Sequence, residues 1–87
     1  MKYKHLVKSF TYYELEDLCQ IKHWQMTSSR ELADLYDQEP DLFAYDEYIV
    51  SDESGQDNAC ILYNPRDDKK SEISKLFKYN AIVKKKG

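Results

Sequence analysis

The sequence predicts an α+β fold in one small domain, with helices first, then a β-hairpin, then a C-terminal helix. Three observations predict it. Two reciprocal capping signatures, Thr11-Tyr12-Tyr13-Glu14 and Ser28-Ser29-Arg30-Glu31, each open a run of apolar residues at spacings of three and four. Two short runs rich in β-branched and aromatic residues, 48–51 and 59–63, flank the turn mixture DESGQDN. The 87 residues include only two glycines and two prolines, which implies long regular elements joined by few hinges.

Length bounds the architecture to a single core, because a chain of this size buries only about 60% of its unfolded surface. A hydrophobic fraction of 41%, with eight tyrosines, outweighs the 33% of charged residues and predicts an ordered globule. Residues 1–83 are expected to form that globule and 84–87 a basic tail. MKYKHLVKSF has no apolar run of the signal-peptide kind. Nor does any apolar stretch approach the roughly 18 residues that would span a bilayer. A soluble, cytoplasmic protein without membrane contact is the expectation, in the host-cell cytoplasm if the chain is phage-encoded.

The first helix should begin at Tyr12, capped by Thr11 and Glu14, with Phe10 and Leu15 as a hydrophobic staple and Leu15, Leu18, Cys19 and, at its margin, Ile21 on the buried face. Trp24 and Met26 then close against the core. The second helix should follow Ser28 and run to about Asp37, burying Leu32, Leu35 and Tyr36. Pro40 suits a first helical position and Asp41 the positive end of a dipole, so residues 40–47 read as a short third helix, with a strand as the alternative. After the hairpin, Asp68 is placed to cap a last helix carrying Ile73, Leu76 and Phe77. Residues 81–83 read as an edge strand, able to pair with a twin or to complete the hairpin's sheet.

This element order matches the winged helix-turn-helix plan. Ser28-Ser29-Arg30-Glu31-Leu32-Ala33-Asp34-Leu35-Tyr36 resembles the first helix of a helix-turn-helix pair: a cap, then Glu-Leu-Ala, then an apolar residue three later. The resemblance implies that residues 40–47 would be the recognition helix. Their charge opposes that role, since Glu39, Asp41, Asp46 and Glu47 would face a phosphate backbone, and residues 31–65 contain neither Lys nor Arg.

Charge is segregated along the chain. Residues 1–30 carry +2, residues 31–68 carry −11 and residues 69–87 carry +6, which together give the net charge of −3. Carboxylates of the middle segment are either an ordinary solvated face or one docking surface. In the docking reading, Glu31, Asp34, Asp37, Glu39, Asp41, Asp46, Glu47, Asp52 and Glu53 present negative charge to a basic protein partner, with Tyr36, Tyr45 and Tyr48 as anchors. The commonest strongly basic grooves hold nucleic acid, so the expected function is a non-enzymatic inhibitor that occupies such a groove on a nucleic-acid-binding protein or nuclease. In size and charge the chain is similar to phage inhibitors of host defence, such as anti-CRISPR and anti-restriction proteins, and to nuclease-immunity proteins. The competing reading is a winged-helix nucleic-acid binder gripping phosphate with Lys69, Lys70, Lys75, Lys78, Lys84, Lys85 and Lys86.

Catalytic and metal signatures are weak. Cys19, His23, Cys60 and His5 lack the short paired spacings of a zinc site, and the two cysteines sit in apolar surroundings that favour a core role. A Cys-His nucleophile has no third group to orient it. Paired carboxylates such as Asp37 with Glu39 would need a cleft to perturb them. Asp52-Glu53-Ser54-Gly55 lacks the alternating ligands of a calcium loop. No cofactor is expected.

Overall fold

The structure is a computed structural model that describes residues 2–85. Its first helix, α1 (Tyr12–Lys22), starts where the capping box places it: Thr11 Oγ1 accepts from the Glu14 N–H at 3.1 Å, and Glu14 Oε1 accepts from the Thr11 N–H at 3.0 Å. It ends at His23, whose left-handed φ of 57° turns the chain directly into a strand. The second helix, α2 (Ser29–Gln38), has the same reciprocal box between Ser28 and Glu31.

Among the described residues there are also six strands: β1 (Tyr3–His5), β2 (Trp24–Met26), β3 (Tyr48–Val50), β4 (Ala59–Asn64), β5 (Lys69–Ser74) and β6 (Ile82–Lys85). They form two three-stranded antiparallel sheets, ordered β1-β6-β2 and β3-β4-β5. Backbone bonds stitch the sheets together, the Ile49 N–H donating to the Asn80 carbonyl at 2.9 Å and the Ser51 N–H to the Thr27 carbonyl at 2.8 Å. Buried Thr27 adds a side-chain bond to the Ile82 carbonyl at 2.8 Å.

Strand alternation then builds two cores rather than one. Ile49, Leu62, Ala81 and Val83 pack with Leu15 and Cys19 of α1. Their neighbours Tyr48, Val50, Tyr63 and Ile82 pack with Leu32 and Leu35 of α2. Strands β3, β4 and β6 are therefore covered on both faces, one helix to each.

Three expectations are corrected. Residues 40–47 are not a helix: one 3-10 turn, Pro40–Leu42, is followed by an irregular segment that leads into β3. Pro40 does take the first helical position, but Phe43 turns inward to the second core instead of continuing a helix. The last helix is absent, and its residues form β5 and a turn. Asp68 takes a left-handed φ of 53° in the β4–β5 turn and accepts from the Tyr63 hydroxyl at 2.7 Å, so it closes a hairpin instead of capping a helix. Third, the strand expected at an edge is the central one. β6 lies between β1 and β2, which is why Ala81, Ile82 and Val83 are all buried, and it reaches Lys85, beyond the expected end of the globule. Without a third helix after α2 and a helix after the hairpin, the winged-helix order does not hold.

Candidate functional site: the acidic end of α2

The α2 sequence separates its carboxylates into two groups with different physical roles. At the N-terminal end, Glu31 belongs to the capping box and also accepts from Lys84 Nζ at 2.9 Å and the Tyr3 hydroxyl at 3.5 Å. Asp52, just past β3, accepts from the Ser29 N–H at 2.8 Å and the Ser29 hydroxyl at 2.6 Å, and pairs with Lys70 at 3.2 Å. Burial alone would raise both carboxyls. Hydrogen bonds to Lys84 and Ser28, and to Ser29 and Lys70, more than offset it and hold both below their ordinary values. These two acids sit where the helix dipole welcomes negative charge, and they hold the fold together.

At the C-terminal end the situation is reversed. Asp34 and Asp37 are exposed on the outer stripe of α2, Glu39 is its C-cap, and Asp41 is exposed in the 3-10 turn. The last turn of α2 has no basic residue to complement the dipole. Among the described residues, no ion pair involves Asp34, Asp37, Glu39, Asp41 or Glu47. Asp46 makes an exposed pair with Arg66 at 3.3 Å, of the kind that contributes little. Glu53 lies elsewhere, beside Tyr12, Asp57 and Lys75 around an open depression of about 340 Å³ on the α1 side.

The expected aromatic anchors divide similarly. Tyr45 is 50% exposed, its ring 5.7 Å from that of His5. Tyr36 is half-buried, edge-on to Phe43 at 5.3 Å. Tyr48 is fully buried and corrects the expectation that it faces a partner. Its hydroxyl lies 3.0 Å from His5 Nε2 and accepts from the Tyr45 N–H at 3.0 Å, while His5 Nδ1 meets the Leu6 carbonyl at 2.9 Å. With Nδ1 donating to a carbonyl, Nε2 is left to accept from Tyr48. The sequence carries no signal for this cluster, since His5 lies 40 and more residues from Tyr45 and Tyr48.

Among the described residues, the lysines expected to grip phosphate are dispersed over the fold. Lys84 and Lys70 serve Glu31 and Asp52, Lys78 lies 3.9 Å from Glu14, and Lys75 sits 4.7 Å above the Tyr12 ring. Lys69 and Lys85 are exposed at separate sheets, and Lys86 lies outside the described residues. Cys19 and Cys60 are both buried, and burial pushes the Cys60 thiol up, away from the reactive thiolate. Among the described residues no three His, Cys, Asp or Glu side chains converge on a possible metal site, and no helix is long and apolar enough to cross a membrane.

No family model matches the chain, and no significant match to it is found among curated proteins or solved structures.

Proposed function

We propose that this chain is a non-enzymatic protein-binding module, and that the acidic C-terminal end of α2 docks on a basic groove of a partner protein. One observation carries the reading: Asp37, Glu39 and Asp41 are gathered, without a cationic partner among the described residues, at the helix end where the dipole opposes negative charge. Within the chain that arrangement costs stability and gains nothing. Against a basic surface it gains twice, by attracting the partner at long range and by neutralising the clustered charge on contact. A local rule broken without internal compensation is characteristic of a functional surface. Asp34 and Glu47 are exposed and would add charge to such a contact, as half-exposed Tyr45 would add area at small entropic cost.

The partner class follows from the charge. A groove basic enough to hold this surface is of the kind that holds nucleic acid, so occupancy would block it, and the module acts as an inhibitor in the manner of small phage anti-defence proteins or nuclease-immunity proteins. The test is affinity capture from source-cell lysate with and without nuclease treatment. Retention of a basic nucleic-acid-binding protein that survives nuclease and is displaced by added DNA or RNA is expected. Retention of nucleic acid itself, with protein lost on nuclease treatment, would contradict the reading.

A further inference from the structure

Leu76 and Phe77 are 77% and 60% exposed, adjacent to each other in the turn at residues 75–78 that follows β5. Two large apolar side chains side by side in water retain a hydration cost that a partner would relieve. The turn is held in shape before any partner arrives. The Leu76 N–H donates to Ser74 Oγ at 3.2 Å, the Phe77 N–H to the Ser74 carbonyl at 3.3 Å, and the Lys75 N–H to the Asn58 carbonyl at 2.9 Å. Such preorganisation lowers the entropy lost on docking. Lysines flank the apolar pair: Lys75 over the Tyr12 and Tyr13 rings, and Lys78 near Glu14. The result is an apolar tip between two cations, at the N-terminal end of α1.

Its complement lies at the C-terminal end of α2. Gln38, Glu39, Pro40, Asp41 and Leu42 line an open depression of about 420 Å³, in which two carboxylates alternate along the chain with two apolar residues. Since α1 and α2 cover opposite faces of the sheets, the tip and the depression of one chain do not meet. We propose that the 75–78 turn of one copy docks in the 38–42 depression of a second copy, Leu76 and Phe77 against Pro40 and Leu42, Lys75 and Lys78 against Glu39 and Asp41. The contact is heterologous, so copies add head to tail. It goes beyond the proposed function and shares only the acidic depression with it, which makes self-association and partner docking mutually exclusive there.

Sedimentation velocity of the full chain over a concentration series, at low and high salt, tests this. The wild-type sedimentation coefficient should rise with concentration and fall back with added salt. The double variants Leu76→Ser/Phe77→Ser and Glu39→Lys/Asp41→Lys should each remain monomeric alone and melt no lower than wild type, the second equal to it or higher because cations suit that end of the helix dipole. Mixed together they should form a one-to-one complex that grows no further, because each contributes one intact surface. A wild type that stays monomeric throughout, a tip variant that associates like wild type, or a mixture without complex overturns the proposal. If wild type is monomeric yet still captures a basic partner through its acidic end, only the self-docking fails. If it associates as described and captures none, only the proposed function fails.

Discussion

Glu31 Oε2 lies 2.9 Å from Lys84 Nζ, which ties the first turn of α2 to the central strand β6. The pair joins the acidic helix to the basic end of the chain, so part of the segregated charge is neutralised internally. What is left over, at the other end of α2, is the surface proposed to bind.

Acid stability follows from the first group of carboxylates. Burial would raise Glu31 and Asp52, but their hydrogen bonds hold them below the ordinary range, and Glu14 is lowered chiefly by the Thr11 N–H. A carboxyl depressed in the folded state contributes stability above its unfolded value and loses it as pH falls through that range towards the folded one. Unfolding by acid should therefore set in below the ordinary carboxylate range, and Glu31→Gln should reduce the slope of stability against pH there. Denaturant melts across an acidic pH series measure it.

Asp52 should matter for stability rather than binding. Its carboxylate accepts two bonds from Ser29 at 2.8 and 2.6 Å and is 19% exposed. Hydrogen bonds to a charged group contribute about 1.5–3 kcal/mol each, and with part of the two bonds recovered by solvation of Ser29, Asp52→Ala should lower stability by about the value of one of them. Partner capture by the folded variant should be unchanged.

Tyr48→Phe removes a hydroxyl that serves both His5 Nε2 and the Tyr45 N–H inside the second core. Leaving such groups unsatisfied costs about 1–3 kcal/mol. The loss should appear in chemical denaturation, and amide exchange at Tyr45 should quicken as the segment before β3 loosens.

Tyr63 governs the alkaline side. Burial, together with the bond to Asp68 and nearby Asp37 and Asp52, pushes its phenol up to about 12. A group raised in the folded state stabilises fully below its unfolded value, about 10 for tyrosine, and that contribution is lost as pH climbs towards the folded one. Stability should fall between about pH 10 and 12, and Tyr63→Phe should make that fall shallower.

Both helix starts were legible because capping is a local device: Thr11 with Glu14 and Ser28 with Glu31 satisfy each other within four residues. The β3–β4 hairpin was legible for the same reason. β5 was not, because an edge strand bearing Lys69, Lys70, Ser71 and Glu72 looks polar throughout, and Ile73, Leu76 and Phe77 mimic a helical stripe although only Ile73 packs inward. The three-residue strands β1 and β2 exist only by pairing with β6, some 60 to 80 residues away in sequence, which no local pattern encodes. The run Ala81-Ile82-Val83 did contain a missed signal, since consecutive apolar residues fit a strand buried on both faces better than an edge. At the candidate site, charge sign and position could be read from sequence; which carboxylates are engaged could not, because Lys70, Lys84 and Ser29 reach them through tertiary contacts.

The most direct test of the central claim is to titrate the captured partner against wild type and the Asp37→Lys/Asp41→Lys variant while following the melting of each. Reversal at the α2 C-terminus should abolish binding and yet leave stability equal or higher, by about 0.3–1 kcal/mol, because cations suit that end of the dipole. Undiminished affinity in the folded variant would contradict the claim.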